Sequence, residues 1–288
     1  MMCDGFVLMK HDDNNRSTSP PKLYIWKDSR LFLGTKSIVF RNYTLAWDQL
    51  LVCMQGEMLI RKSNDKKVTS RTCLIRAGTI VDNQDINTTN AIVTIYYLNP
   101  ISQDYCVLEN SMKKATKSIC YSHVKQDQII TQMHYISDSN ATPKLAHAIL
   151  IDTLELSIQP KNKKEYDPRI VKLVRMIRET VADNLSIHEY AESVHLSPSR
   201  LAKLFKQQMG IPITKYRLQI RVSYGVIHLA AGRSSTEAAY LSGFSSSGHF
   251  STCFSDMIGV QPSSTFLTPP YVKAFIAEDV LEALPNLA

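Results

Sequence analysis

The feature that most constrains this 288-residue chain is a degenerate internal repeat in its C-terminal third. In the first copy, small Ala191 precedes Leu196 by five residues, and Ser197 followed by Pro198 is typical of a helix start. The second copy has the same order 48 residues later, at Ala239, Phe244 and Ser245. Such a repeat predicts two copies of one supersecondary unit.

Each copy has the pattern of two short helices joined by a tight turn. Ser186 and Glu189 have capping-box spacing, which predicts a first helix that ends near His195. The expected buried residues of the helix pair are Tyr190, Ala191, Val194, Leu196, Leu201, Leu204 and Phe205. The small side chain of Ala191 lets the helices approach closely, as a helix-turn-helix unit requires.

The two units are predicted over about 186–209 and 235–258. After the turn the copies match at an offset of 49, at Phe250, Phe254 and Gly259, so the second turn is one residue longer. The segment between them, 214–232, is long enough for one helix of about five turns that Gly232 can end. Its inward-facing residues are expected to be Tyr216, Ile220, Tyr224 and Ile227.

The positive charge of the chain is concentrated in one segment. The formal net charge is +7 and the pI about 9.0, yet residues 161–233 alone carry 14 Lys and Arg against 6 Asp and Glu. Residues 1–160 carry 18 against 15, and residues 234–288 carry 1 against 5. Because the basic segment contains the first predicted unit, a polyanionic partner is favoured there.

Over about residues 170–267 the chain resembles the AraC/XylS family of transcription regulators. The resemblance rests on LSPSRLAKLFKQQMGIP, on YRLQIRV and on GFSSSGHFSTCFSDMIGVQPSSTF. It implies a regulator that binds double-stranded DNA and activates transcription together with RNA polymerase, with no enzymatic activity and no cofactor. Two departures exist: Cys253 and Asp256 stand where basic residues are usual, and Gly225 stands where alanine is usual.

The first unit carries the charged candidates for DNA reading. A helix in the major groove presents its N-terminal residues to base edges while cations neutralise phosphates. We expect Ser199, Arg200 and Lys203 on that face, with Lys206 nearer the DNA backbone. Arg200 or Lys203 can pair with guanine or hold a phosphate, and the spacing favours phosphate for at least one of them. Solvated helix charges without DNA contact are the open alternative.

The second unit has no Lys or Arg between Ser245 and Asp256. Its candidates are Ser246, Ser247, His249 and Thr252. Hydroxyl and imidazole contacts are weaker and less salt-sensitive than charged pairs, which predicts an asymmetric grip dominated by the first unit. His249 is left open between base reading and packing, and Arg217 and Arg221 between DNA-backbone contact and solvation.

The whole chain is predicted to be an α+β protein. Residues 23–98 alternate short apolar runs with turn signals, which predicts the strands of a small β-sandwich or barrel. Helical spacing follows from about 103 to 157, suited to helices packed beside the barrel or against a second subunit. An example of this spacing is Leu145, Ala148, Ile149 and Asp152.

The expected architecture is an N-terminal cupin-like barrel or sandwich with packed helices, followed by an all-α domain of two helix-turn-helix units joined by a long helix. The predicted boundaries are 1–160, a linker at 161–168, and 169–288, because SIQPKNKKEYDP gathers prolines and like charges. Residues 271–284 are expected to form an added amphipathic helix that packs against its own domain or the sensor domain. Its apolar side is Val272, Phe275, Ile276, Val280 and Leu284.

The N-terminal domain resembles the cupin-type sensor domain that many relatives carry, through the QGEM hairpin and the CLIRAGT strand. That resemblance implies a small-molecule effector or a regulatory protein as partner, and no effector residues are assigned. A pure dimerisation or interaction module, with a homodimer, is the open alternative. Aromatic residues that could line a pocket or fill a core are Tyr24, Trp26, Trp47, Tyr96 and Tyr97.

A third alternative, a bifunctional enzyme and regulator, needs an activated thiolate beside a histidine and a cation. No cysteine has such neighbours in sequence, and no C-x-x-C pair occurs among Cys3, Cys53, Cys73, Cys106, Cys120 and Cys253. A catalytic metal centre is not expected either, because the N-terminal histidines lie outside the predicted strands. These histidines are His11, His123, His134 and His147.

The sequence predicts a cytoplasmic protein without membrane contact. No stretch reaches the roughly 18 uncharged apolar residues that span a bilayer. The N-terminus MMCDGFVLMKHDDNN lacks the basic-then-apolar order of a secretory signal.

Overall fold

The structure, a computed structural model, describes residues 5–8, 20–36, 38–266 and 272–284. The strands are β1 (Gly5–Leu8), β2 (Lys22–Ile25), β3 (Ser29–Lys36), β4 (Ile38–Arg41), β5 (Tyr43–Thr44), β6 (Asp48–Gln55), β7 (Met58–Arg61), β8 (Lys67–Ser70), β9 (Thr72–Ile75), β10 (Ile80–Val81), β11 (Ile86–Asn87), β12 (Ile92–Leu98), β13 (Lys113–Lys114), β14 (Ile119–Tyr121) and β15 (Lys273–Ile276). The helices are α1 (Asp104–Glu109), α2 (Gln126–Ser139), α3 (Pro143–Thr153), α4 (Pro168–Glu179), α5 (Ile187–Ser193), α6 (Pro198–Met209), α7 (Ile213–Ala230), α8 (Ser235–Leu241), α9 (Ser247–Ile258), α10 (Pro262–Phe266) and α11 (Glu278–Glu282). Over these ranges, no helix is both long and apolar enough to cross a membrane.

An eight-stranded sheet lies at the centre of the N-terminal half, in the order β13-β14-β9-β6-β12-β3-β2-β15. Smaller sheets of β11-β7-β8, β1-β4 and β10-β5 surround it. Side chains of β6 alternate between two cores, because successive residues of a strand point to opposite faces. Leu50 and Val52 pack under α2 and α3, whereas Leu51 and Cys53 enter the sandwich interior. The predicted β-rich N-terminal half with packed helices is confirmed.

Helix α3 packs one side against the core of the N-terminal half and leaves other apolar residues exposed. Its buried residues are Ala146, Leu150 and Thr153. Of the residues that show the predicted helical spacing, Ile149 packs partly against this core, whereas Leu145 is 44% exposed. Because α3 carries apolar side chains on two sides, spacing alone does not select the side that the sheet buries.

Helix α7 joins the two predicted units, α5 with α6 and α8 with α9, and contributes to both of their cores. Tyr216 and Ile220 pack with the first unit, whereas Val222 and Leu229 pack with the second. The helix has 18 residues, and Gly232 follows it with a φ of +87°. One helix therefore connects the two units and packs in both of their cores, as the spacing predicted.

Gly225, in the middle of α7, makes room for an aromatic ring. A Cβ placed on this residue would lie 2.4 Å from Cε2 and 2.7 Å from Cζ of Phe250. The Phe250 ring is itself held by Phe244 and Phe254, at centroid distances of 5.2 and 5.6 Å. The departure from the usual alanine is thus explained by packing of the second unit.

The C-terminal tail corrects a prediction, because the expected helix over 271–284 is wrong for Lys273–Ile276. These residues form β15, which pairs in parallel with β2 and stacks Phe275 on Tyr24 at 4.6 Å. An open sheet edge offers unpaired backbone groups, and this pairing outweighs the helical spacing of the side chains. Only Glu278–Glu282 is helical, and residue 271 lies outside the described residues.

Residues 158–167 contain no helix or strand, and Asp167 caps α4 at Pro168. The contacts of the segment nevertheless reach back to the N-terminal half: the Tyr166 hydroxyl donates to the Pro100 carbonyl at 2.5 Å. The boundaries of the linker at 161–168 and of the domains on either side stay predictions.

Replacing Gly225 with alanine is predicted to destabilise the protein, although alanine is the better helix former. The propensity gain is about 1 kcal/mol, whereas overpacking a filled core costs about 1–3 kcal/mol. The free energy of unfolding should therefore fall by about 1 kcal/mol, measured by thermal or denaturant unfolding. The matched control is Gly248→Ala in α9, where an added Cβ meets nothing within 4 Å and stability should hold or rise. A Gly225→Ala variant as stable as this control would contradict the packing role.

Candidate nucleic-acid interface

The first helix of the first unit begins as the sequence predicted. The Glu189 amide donates to Ser186 Oγ at 3.3 Å, and the Ser186 amide donates to Glu189 Oε2 at 2.7 Å, which completes the capping box. Hydrogen bonds to the carboxyl from the Ser186 backbone amide, and then from the Ser186 side chain, lower the pKa of Glu189. In the turn after α5, His195 takes a left-handed φ of +54° and directs the chain into the second helix.

Helix α6 buries one side and leaves the other open. The Arg200 amide donates to Ser197 Oγ at 3.3 Å, and Pro198 occupies the first helical position. The buried residues are Leu201, Phe205 and Met209, whereas Ser199, Arg200, Lys203 and Lys206 are all exposed. Within the described ranges, no carboxylate forms an ion pair with these three cations. The face therefore has the free positive charge that phosphate contacts need.

The second unit repeats this arrangement with one shift. Glu237 and Ser234 form a second capping box, which sequence reasoning did not identify. Helix α9 is capped by Ser246, whose Oγ accepts the His249 amide at 3.2 Å. The prediction that Ser245 is equivalent to Ser197 is wrong by one residue, because the extra residue of the longer turn lies before the cap.

The exposed side of α9 is polar but uncharged. Ser246, His249 and Thr252 are exposed, and Ser247 is half-buried. The His249 ring lies edge-on to Phe244 at a centroid distance of 5.4 Å, and the Thr252 hydroxyl donates to the Gly248 carbonyl at 3.1 Å. Part of the hydrogen-bonding capacity of α9 is thus used within the unit, and the side chains of this face add no positive charge.

Two arginines of α7 support the first unit from inside. The Arg217 guanidinium lies 4.7 Å from the centroid of the Tyr190 ring. Arg221 Nη2 donates to the Asp183 carbonyl at 3.1 Å and to Asn184 Oδ1 at 2.9 Å. Burial, and then the charge of Arg217, lower the pKa of Arg221. The sequence left these arginines open between DNA-backbone contact and solvation. It did not indicate these contacts within the protein.

A buried amide joins the two halves of the protein, and no sequence signal indicated it. Gln219 Oε1 accepts the Ala46 amide at 2.7 Å, and Gln219 Nε2 donates to the Thr44 carbonyl at 2.7 Å. Beside it, Trp47 packs into the core of the first unit. The Arg178 guanidinium lies 5.3 Å from the centroid of the Trp47 ring, so one cation of α4 also takes part in this contact.

The candidate pocket residues of the N-terminal half are packed in cores. Tyr24, Trp26 and Tyr96 belong to the cluster under α2 and α3. The Tyr24 hydroxyl donates to the Ala141 carbonyl and Trp26 Nε1 to the Pro143 carbonyl, both at 2.9 Å. Trp47 and partly buried Tyr97 instead face the C-terminal half.

The cysteines of the N-terminal half that the structure describes lie in the protein core. Among the described residues, no three His, Cys, Asp or Glu side chains are grouped to hold a metal ion. Cys53, Cys73, Cys106 and Cys120 are buried, as is Cys253 in the second unit. Burial raises the pKa of the Cys53 thiol to about 12 and that of Cys73 well above its usual value. Cys3 and His11 lie outside the described residues.

Comparison with known protein families and sequences matches the C-terminal part of the chain. Residues 190–267 match a helix-turn-helix domain family. The arabinose operon regulatory protein of Escherichia coli K12 is 34% identical over 99 residues, which cover 34% of each protein. The transcriptional activator RhaS of Citrobacter koseri is 29% identical over 134 residues, which cover 44% of this chain and 48% of that protein. The chain thus spans about a third to a half of the length of these relatives.

Comparison with solved structures extends over both halves. The crystal structure of ToxT from Vibrio cholerae O395 matches 84% of this chain and 97% of its own, with a TM-score of 0.52 and 16% identity. ToxT of strain SCE256, solved with an unsaturated fatty acid bound, matches 86% of this chain and 95% of its own, with a TM-score of 0.51 and 13% identity. At such identities the likeness is one of fold. The family match and the two capped units on α7 together show that the C-terminal part of the chain carries a helix-turn-helix domain similar to those of such transcription regulators.

Proposed function

We propose that this protein is a transcription activator that reads duplex DNA with α6 and α9 and responds to a small effector or a regulatory protein at its N-terminal domain. The observation that carries the proposal is the pair of capped helix-turn-helix units on one rigid helix, each with its polar side open to solvent. Two reading helices on one connector can enter successive major grooves on one side of the duplex. RNA polymerase is then the partner through which activation occurs.

The proposed grip is asymmetric. Arg200, Lys203 and Lys206 supply three exposed cations to phosphates and guanine edges. Each phosphate that they neutralise releases about one counterion, which steepens the fall of affinity with salt concentration. Helix α9 has only Ser246, Ser247, His249 and Thr252 to offer, besides its backbone amides. The first unit therefore provides most of the affinity, while the second adds contacts that depend less on salt.

Control by a small effector takes support from the fold of the N-terminal half, which resembles that of a ToxT structure with a bound unsaturated fatty acid. The transcriptional activator RhaS, which is 29% identical over 134 residues, supports activation rather than repression. These functions belong to those proteins, and for this chain they form part of the proposal.

The second candidate is an N-terminal domain that serves only dimerisation or protein interaction. Apolar side chains on its helical face favour it: Leu145 on α3 is 44% exposed and Tyr135 on α2 is 50% exposed. The core positions of Tyr24, Trp26 and Tyr96 also leave these aromatic residues for packing rather than for an effector. The two candidates share the DNA-binding half and differ in whether a small molecule changes DNA binding.

Selection of the full-length chain against random-sequence duplexes should enrich a motif, and Lys203→Ala should weaken binding to it. We expect about a tenfold loss of affinity and a salt slope lower by about one, because one phosphate contact is removed. His249→Ala should change affinity less than about threefold, since its ring packs on Phe244. The matched control is Lys144→Ala, an exposed lysine on α3 that should change neither quantity.

Failure of the wild-type chain to enrich any motif at any salt concentration would overturn the proposed function. A Lys203→Ala variant that behaves like Lys144→Ala would remove α6 as the main reading helix. A larger loss with His249→Ala than with Lys203→Ala would reverse the proposed asymmetry.

The bifunctional-enzyme alternative is tested by thiol reactivity. At pH 8, a thiol with a pKa of about 12, such as Cys53, is ionised in about one molecule in ten thousand. Cys53 and Cys73 should therefore resist alkylation in the folded chain and react only after denaturation, followed by mass spectrometry of the labelled peptides. Rapid native labelling of either residue would contradict their assignment as inert core residues.

A further inference from the structure

The last turn of α6 meets the N-terminal domain through a glycine-to-glycine contact. A Cβ on Gly78 would lie 2.6 Å from Gly210 Cα and 2.7 Å from the Met209 carbonyl oxygen. A Cβ on Gly210 would lie 2.9 Å from Gly78 Cα. Both glycines have positive φ, +78° and +74°, so the two backbones touch at a point where no side chain fits.

The turn that carries Gly78, residues 76–79, is held firmly in its own domain. The Gly78 amide donates to the Leu45 carbonyl at 2.8 Å, and the Ala77 amide donates to the buried Asp48 Oδ1 at 2.7 Å. Arg76 Nη2 lies 3.5 Å from Glu109 Oε2 on α1. Because these contacts hold the turn in place, it can fix the position of the end of α6 that packs against it.

The same end of α6 is held a second time by the segment between the domains. Lys164 Nζ donates to the Gln208 carbonyl at 3.2 Å, which satisfies an end carbonyl of the helix. Lys164 is in turn fixed to the N-terminal domain by two hydrogen bonds between its backbone and the Gln103 side chain, at 3.0 and 3.1 Å. Two independent contacts thus hold one end of the reading helix.

The reading residues lie at the other end of α6. Ser199, Arg200 and Lys203 are in its first two turns and exposed, so the glycine contact leaves the DNA-facing surface open. The second reading helix, α9, touches the N-terminal domain at a different place, where β1 lies against it. Helices α6 and α9 thus each have their own contact with the N-terminal domain.

We propose that the 76–79 turn is a positioning element for DNA reading, which fixes the orientation of α6 relative to α9 and so the distance between the two half-sites that the protein accepts. Gly78 and Gly210 act through α6 and contact no DNA themselves. The inference rests on the proposed function, because it concerns how the two reading helices are arranged.

The test uses the full chain and Gly78→Ala, which pushes α6 away without altering any DNA-facing residue. The matched control is Gly34→Ala: Gly34 also has a positive φ, +82°, but an added Cβ meets nothing within 4 Å, so backbone strain is reproduced without the clash. The opposite side of the contact is tested by Gly210→Ala against Gly232→Ala, whose φ is +87° with the same free space. Binding is measured on the motif selected by the wild-type chain and on duplexes with its two halves moved apart or together by one to three base pairs.

We expect Gly78→Ala and Gly210→Ala to lose about tenfold in affinity for the motif with its selected spacing between the two halves. Both variants should bind the duplexes with altered spacing nearly as well as the duplex with the selected spacing. The controls should keep the wild-type preference within about threefold. A general loss of stability would lower binding at every spacing alike, and it is monitored by thermal unfolding. If both variants keep the wild-type spacing preference while the wild-type chain binds its motif, the inference fails and the proposed function stands. If the wild-type chain enriches no motif, both fail.

Discussion

The placement of both reading helices depends on α7 and on its buried contact with the N-terminal half. Tyr216 and Ile220 complete one hydrophobic core, and Val222 and Leu229 complete the other. The Gln219 amide satisfies both a donor and an acceptor of the segment before β6. Breaking this pair leaves buried polar groups without partners, at a cost of about 1–3 kcal/mol each. The helix is therefore held in one orientation as well as packed.

Helix caps could be predicted from the sequence where residues within a single turn determine them. The capping box of Ser186 and the cap at Ser197 follow from side-chain oxygens at fixed spacing from amides, and both were predicted. The cap of α9 was misplaced by one residue because an insertion in a repeat does not reveal on which side of the cap it falls. Exposure of the eight DNA-reading candidates followed from helical periodicity, with only Ser247 half-buried.

Long-range contacts were not readable in this way. The helical spacing of the tail gave no sign that Lys273–Ile276 would meet the open edge of β2, about 250 residues earlier in the chain. No sequence pattern indicates the contact between Gly78 and Gly210 either, because each glycine taken alone is typical of an ordinary turn or helix end. Such long-range contacts determine how the two halves of the protein are arranged, whereas local sequence patterns determine the fold of each half.

The charge distribution gives the two helices α6 and α9 different parts in the proposed DNA binding. In the proposed function, the cations of α6 would hold phosphates through interactions that salt screens, and α9, which has no Lys or Arg, would rely on hydrogen bonds that salt affects less. Because α9 has no Lys or Arg, the second unit lacks long-range attraction to the phosphates and adds useful contacts only if its position is fixed beforehand. The rigid α7 and its buried anchoring supply that fixed position.

The most direct test of this account is a hydroxyl-radical footprint of the full-length chain on its selected duplex, taken at rising salt concentration. Two protected blocks on one face of the duplex, about one helical turn apart, are predicted. Both should fade together as the complex dissociates, and with Lys203→Ala both should disappear at a lower salt concentration than with the wild-type chain. A single protected block, or two blocks whose separation varies from molecule to molecule, would contradict a rigid reader with two heads.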